Sequence, residues 1–241
     1  MVPGEVVVPS FSLIVNDDGS VHQLLRDGEP YDRAIRLEPA YAIVATYYRL
    51  SASNIAGLAG AGDDELRRFH GIQAFLMALT GVEAFTNVYF TLRARETDDD
   101  ALRAIVDAAR GSLLARLERC IACAFARPIG GQEALIARLR ELFAMRAQIV
   151  HPRWDPASAT IGGVFPLHID GLSMNFQSNF EDERLCREAF LWCLLLVIRI
   201  AVAAGAENVT AFCRFWTGQE NVTERAVMRQ LGLNEAGGAD G

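Results

Sequence analysis

"ELFAMRAQIVHP", residues 141–152, carries a conflict that decides how the chain is read. Leu139, Leu142 and Phe143 recur at helical spacing, and Ile149 and Val150 continue the same apolar stripe. Arg146 falls on that stripe too. Pro152 ends the helical pattern, and the residue before a proline is biased toward extended geometry, so His151 leaves the helix axis where the helix stops. On a continued ideal helix Arg146 and His151 would stand about 140° apart. The helix end relaxes that separation, and the two side chains can converge on one patch. A guanidinium on a buried stripe needs a carboxylate, a phosphate or an open cleft. Glu83, set in the apolar "GVEAFTNVYF", is the candidate carboxylate, with Asn87 one helical turn further along the same side. The expectation is a polar pocket in which Glu83 and Asn87 hold Arg146 between two helices.

Outward from this stretch, the chain reads as an all-α bundle with β-like additions. Residues 1–37 form an N-terminal β-like flap, with two short strands around the "NDDGS" turn. Residues 38–205 form the bundle. Its first helix starts after Pro39 and ends at the glycines near 60. A second, long helix starts at Asp63-Asp64, whose carboxylates suit a helix N-terminus, and runs to about Arg95. The pattern predicts a third helix over about 99–126, stopped by Pro128 and Gly130-Gly131, and a fourth over about 132–150. Residues 152–177 lose the helical period and predict a loop or small hairpin. Ser178-Asn-Phe-Glu181 has the spacing of a capping box opening a fifth helix that runs to about Ala204. C-terminal helices packed on the bundle fill 206–233, with a second capping box at Thr217-Gly-Gln-Glu220. Residues 234–241 are expected to form a loose, disordered tail.

Composition narrows the chemistry. The 241 residues are 51% hydrophobic, enough for a sizeable core, and the formal charge is −7, which argues against a general polyanion binder. A small basic cleft inside an acidic protein remains open. All 23 basic residues are arginine, so Schiff-base and P-loop lysine chemistry are excluded. Cys120 and Cys123 form a C-x-x-C without a second pair, which reads as packing in a reducing cytoplasm. No metal site or cofactor is called for. Ala189 to Ala204 is the most apolar stretch; Arg199 breaks it, so a buried helix is expected and not a membrane span. No signal peptide is visible, which points to the cytoplasm. His70 reads as a helix-packing histidine. His22 and His168 have no evident partner.

Arg146, four intervening residues and then His151, at the end of a helix in an all-helical domain, resembles the R-x4–6-H motif of HEPN domains. "LRELFAMRAQIVHP" is similar to that motif's setting, and "GVEAFTNVYF" resembles an earlier helix of many bacterial members. The similarity covers roughly residues 40–205. It implies a four-to-five-helix bundle that dimerises with the two motifs facing each other. It also implies a metal-independent endoribonuclease of a toxin–antitoxin, phage-defence or RNA-processing system, with RNA as substrate and an antitoxin or other protein as partner. Arg146 would stabilise charge on the scissile phosphate and His151 would move the proton. That division of labour suits a permanently charged bidentate donor and a group titrating near neutrality. Gln148 would support the site, and Trp154 could stack on an RNA base. The position after the arginine is commonly polar in active members and is Ala147 here. A second expectation follows: a noncatalytic HEPN-like module that binds a nucleotide or a protein partner.

Overall fold

A computed structural model of the protein describes residues 11–15, 21–31, 42–108, 111–125, 127–150, 159–161, 165–167 and 180–233. The chain divides into two units, Met1–Glu38 and Pro39–Gly241. The first holds a three-stranded antiparallel sheet. β1 (Phe11–Val15) pairs with β2 (Val21–Arg26), with Phe11 opposite Arg26 and a register shift between Ile14 and Val15. β2 then pairs with β3 (Glu29–Pro30), Arg26 opposite Glu29. A third strand is not expected from the sequence. Its signal is "DG" at 27–28: Asp27 has φ +53° and Gly28 φ +86°, the two left-handed residues that a tight two-residue hairpin requires.

The second unit is an all-α helical bundle. α1 (Ala42–Gly60) and α2 (Asp64–Glu96) lie antiparallel. Their contacts descend one chain as they ascend the other: Tyr48 meets Gly81, Ser51 Oγ donates to the Ala74 carbonyl at 2.7 Å, and Gly57 faces His70. A Cβ at Gly81 would fall 2.9 Å from the Tyr48 ring, so the missing side chain is what admits the tyrosine. His70 packs over Gly57 with its Nδ1 3.0 Å from Asn54 Oδ1, as a packing histidine should. Asp63 caps α2 by accepting from the Leu66 N–H at 2.8 Å.

The predicted third helix is two. α3 (Asp100–Asp107) and α4 (Leu113–Ala124) are separated at Gly111, φ +108°, and Ser112 caps α4 by accepting from the Ala115 N–H. α5 (Gln132–Val150) follows. Beyond it β4 (Ala159–Ile161) and β5 (Phe165–Leu167) form a small antiparallel hairpin. α6 (Glu183–Ala203) is the central helix: every residue from Ala189 to Ile198 is buried, as an all-round apolar helix must be. Tyr48 donates to the Cys193 carbonyl at 3.4 Å, and Cys186 Sγ reaches the Gly71 carbonyl, tying α6 to α1 and α2.

Both expected capping boxes are corrected. α6 starts at Glu183 with Asp182 as its cap, accepting from the Arg184 N–H at 2.8 Å; Glu181 is taken instead by Arg68 of α2. Ser178 lies outside the described residues. Thr217 does not open a helix. It ends α7 (Val209–Thr217), its hydroxyl donating back to the Cys213 carbonyl, and α8 (Glu224–Gln230) is capped by Thr223. α7 docks by an aromatic cluster in which Trp216 meets Phe85 and Tyr89 of α2 edge-on, at 5.2 and 5.7 Å. α8 is held at Arg199, whose Nε lies 2.7 Å from Glu224 but off the hydrogen-bond direction. That ion pair accounts for the charge interrupting the apolar run of α6.

Among the described residues one helix, α2, is long and apolar enough to cross a membrane by length and composition. Half of its most apolar window is buried inside the bundle. The tail at 234–241 lies outside the described residues.

Candidate functional site

α5 explains where Arg146 stands. Leu135, Ile136, Leu139 and Leu142 are buried, whereas Phe143 and Ile149 are half-buried and Val150 is 46% exposed. The apolar stripe therefore leaves the core over the last two turns, which corrects the reading of Val150 as part of the buried face. Arg146 sits at that departure, with its side chain 28% exposed. Its Nη2 lies 3.3 Å from Glu83 Oε2 of α2, and the Glu83 side chain is 40% exposed. The contact is longer than the roughly 2.7–2.9 Å of a tight charge-assisted hydrogen bond. Arg146 Nε is buried with no acceptor, and Cζ lies 5.8 Å from the Phe143 ring centroid. The guanidinium is thus held by a loose ion pair and a ring face, on a helix emerging toward solvent.

Asn87 does not join this contact. It accepts from Arg116 Nη2 of α4 at 2.6 Å. Glu83 and Asn87 are one turn apart on α2, so a single ridge of that helix receives two guanidiniums, one from α5 and one from α4. Arg116 is not an expected site residue. No local spacing points to it, because its partner is 29 residues away.

The remaining predicted site residues are not brought together by the described part of the chain. His151 and Trp154 lie outside the described residues, as does His168. Gln148 is on the last turn of α5, one residue past Ala147, which is exposed.

Other basic residues nearby are engaged with carboxylates. Arg138 pairs with Glu141 and with Glu188 of α6, and Arg140 lies 3.8 Å from Glu118. The charges of Arg138 and Arg140 are therefore largely neutralised. An open groove of about 1020 Å³ lies at the other end of α5, lined by Glu118, Ile129, Glu133, Ile136 and Arg140 among others, and it does not include Arg146.

The cysteines are packing groups. Burial pushes Cys120 up to about 11 and Cys186 and Cys213 up to about 12, and raises Cys193 as well. Thiols so hard to ionise are poor nucleophiles and poor ligands. Cys123 Sγ is 3.9 Å from Asp99 Oδ2, and no cluster of ligating side chains occurs among the described residues.

Known protein families, curated proteins and solved structures give no match to this chain.

Proposed function

We propose that the chain is a HEPN-like, metal-independent endoribonuclease of a toxin or defence system, working in the cytoplasm as a homodimer. One observation carries the reading: Arg146, with a partly exposed guanidinium and only a loose hold on Glu83, stands on the emerging end of α5 five residues ahead of His151. A guanidinium so placed can exchange part of its carboxylate contact for a phosphate, which offers the same planar pair of oxygens. In the proposed reaction the RNA 2′-oxygen attacks the adjacent phosphorus. The O2′–P bond forms as the P–O5′ bond breaks, and the products are a 2′,3′-cyclic phosphate and a 5′-hydroxyl. His151 of one chain takes the 2′-hydroxyl proton, and His151 of the second chain protonates the leaving 5′-oxygen. Arg146 stabilises the charge that builds on the phosphoryl oxygens.

The test is single-turnover cleavage of a labelled structured RNA in EDTA by wild type, Arg146→Gln and His151→Gln. Loss of cleavage in both variants, with dimers intact, supports the assignment. Equal cleavage by all three proteins, or none by wild type, ends it.

A second reading is a noncatalytic HEPN-like module that binds a nucleotide or a protein partner such as an antitoxin. The exposed Ala147 favours it, because that position contributes no polar group beside the phosphate. Equilibrium binding of nucleotides to an RNA-inert wild type would support it.

A further inference from the structure

We infer that Arg116 is a second phosphate-contacting residue of the same site, so that single-stranded RNA is held across two phosphates along the Glu83–Asn87 ridge of α2. The inference rests on the proposed reading of Arg146.

Three observations carry it. The first is position. Glu83 and Asn87 are four residues apart, about 6 Å along the helix axis, and each holds one guanidinium from a different helix: Arg146 of α5 and Arg116 of α4. The second is charge. Among the described residues Arg116 has no carboxylate partner; its anchor is the neutral Asn87 side-chain oxygen at 2.6 Å. By contrast, Arg138, Arg140 and Arg146 each meet a carboxylate. An amide fixes the direction of a guanidinium without cancelling its charge, so the remaining N–H donors stay available to an anion. The third is cost. Arg116 lies in the first turn of α4, which has no acidic residue there, so the cation opposes the helix dipole.

The two guanidiniums and the single Glu83 carboxylate leave one net positive charge on this ridge of a chain whose formal charge is −7. A linear polyanion is the ligand that would meet both arginines at once. Asn87 would then be a positioning residue, acting through Arg116, which corrects its expected role of holding Arg146.

The test is fluorescence anisotropy with a labelled, fully 2′-O-methylated oligoribonucleotide, which cannot be cut, titrated with wild type, Arg116→Gln, Arg116→Lys and Arg146→Gln over a range of salt. The control is Arg103→Gln on α3, whose arginine pairs with Asp100 of the same helix and with Asp98 just before it. Each phosphate contact on a single strand contributes about 0.7 to the slope of log affinity against log salt. The expected result is a slope lower by about 0.7 in Arg116→Gln, restored in Arg116→Lys and unchanged in the control. A fixed fraction of unfolded protein lowers the apparent affinity equally at every salt concentration and leaves that slope unchanged. If Arg146→Gln lowers the slope and Arg116→Gln does not, the inference is overturned while the reading of Arg146 stands. If wild type does not bind the oligonucleotide at all, both are overturned.

Discussion

Arg146→Met separates a functional arginine from a structural brace. The methionine keeps an unbranched apolar stem over Phe143 and removes the guanidinium. Three effects set the change in stability. The ion pair to Glu83 is lost, but at 3.3 Å between side chains 28% and 40% exposed it behaves as a solvent-screened pair, worth about 0.5–1 kcal/mol. The cation–π contact with Phe143, at 5.8 Å, contributes about 0.5 kcal/mol more. Against these, a buried Nε without an acceptor disappears, relieving about 1–2 kcal/mol of unmet desolvation. Glu83 is exposed enough to hydrate once its partner is gone. The net change lies within about 1 kcal/mol of zero, whereas breaking a fully buried ion pair costs about 3–5 kcal/mol. Urea unfolding followed by circular dichroism measures it, with RNA cleavage assayed on the same preparation. A stable variant that has lost cleavage is expected. A loss of about 3 kcal/mol or more, with cleavage per folded molecule unchanged, would make Arg146 a brace between α2 and α5 and remove it from the chemistry.

Gly71→Ala should be strongly destabilising although alanine is the better helix former by about 0.8–1.0 kcal/mol. Its Cβ would fall 1.5 Å from the Phe180 carbonyl oxygen, so the start of α6 must move, and the buried Phe180 ring would lose its edge contact with Phe75 at 5.0 Å. A net loss of about 2–4 kcal/mol is expected on the scale of deleting a buried phenylalanine, read from the urea midpoint. An unchanged midpoint would show that α6 does not approach α2 as described. Stability should also hold steady to about pH 9 and then fall. Cys120, Cys186, Cys213 and Tyr89 are all raised by burial, to about 11 for the first and about 12 for the others, against ordinary values of 9.0 for the thiols and 10.0 for the tyrosine. Above those ordinary values the unfolded chain releases protons that the folded one retains, so unfolding is favoured until the folded values are passed. Urea midpoints measured from pH 7 to 11 check it, and a midpoint flat through pH 11 would contradict the burial of these groups.

Much of the bundle was legible because helical periodicity and helix ends are local signals. Asp63-Asp64 reads as a helix start, and the stops at Gly60 and Gly130-Gly131 follow from residues within a turn of each boundary. The misreadings have the same local origin. Ser178 and Thr217 have capping-box spacing, but Asp182 and Thr223 sit closer to the apolar runs that need capping, and Thr217 already spends its hydroxyl on α7. Gly111 splits one expected helix because its φ of +108° is a backbone state that apolar periodicity does not register. At the candidate site, the Glu83–Arg146 contact was legible because each charge stands conspicuously in an apolar setting, and such charges seek each other. Asn87 meets a partner that the sequence does not point to, for the opposite reason. A neutral amide at i+4 from Glu83 carries no mark of which cation it will hold, and Arg116 sits among other arginines on α4, where nothing in the spacing separates it from Arg119.

Mapping the ends of cut RNA tests the proposed mechanism most directly. Wild type and His151→Ala are incubated with an end-labelled structured RNA in excess EDTA, and the new termini are identified. The mechanism predicts cleavage by wild type alone, leaving 2′,3′-cyclic phosphates and 5′-hydroxyls. Intact RNA with a folded, dimeric wild type, or equal cutting by the His151→Ala variant, would contradict it.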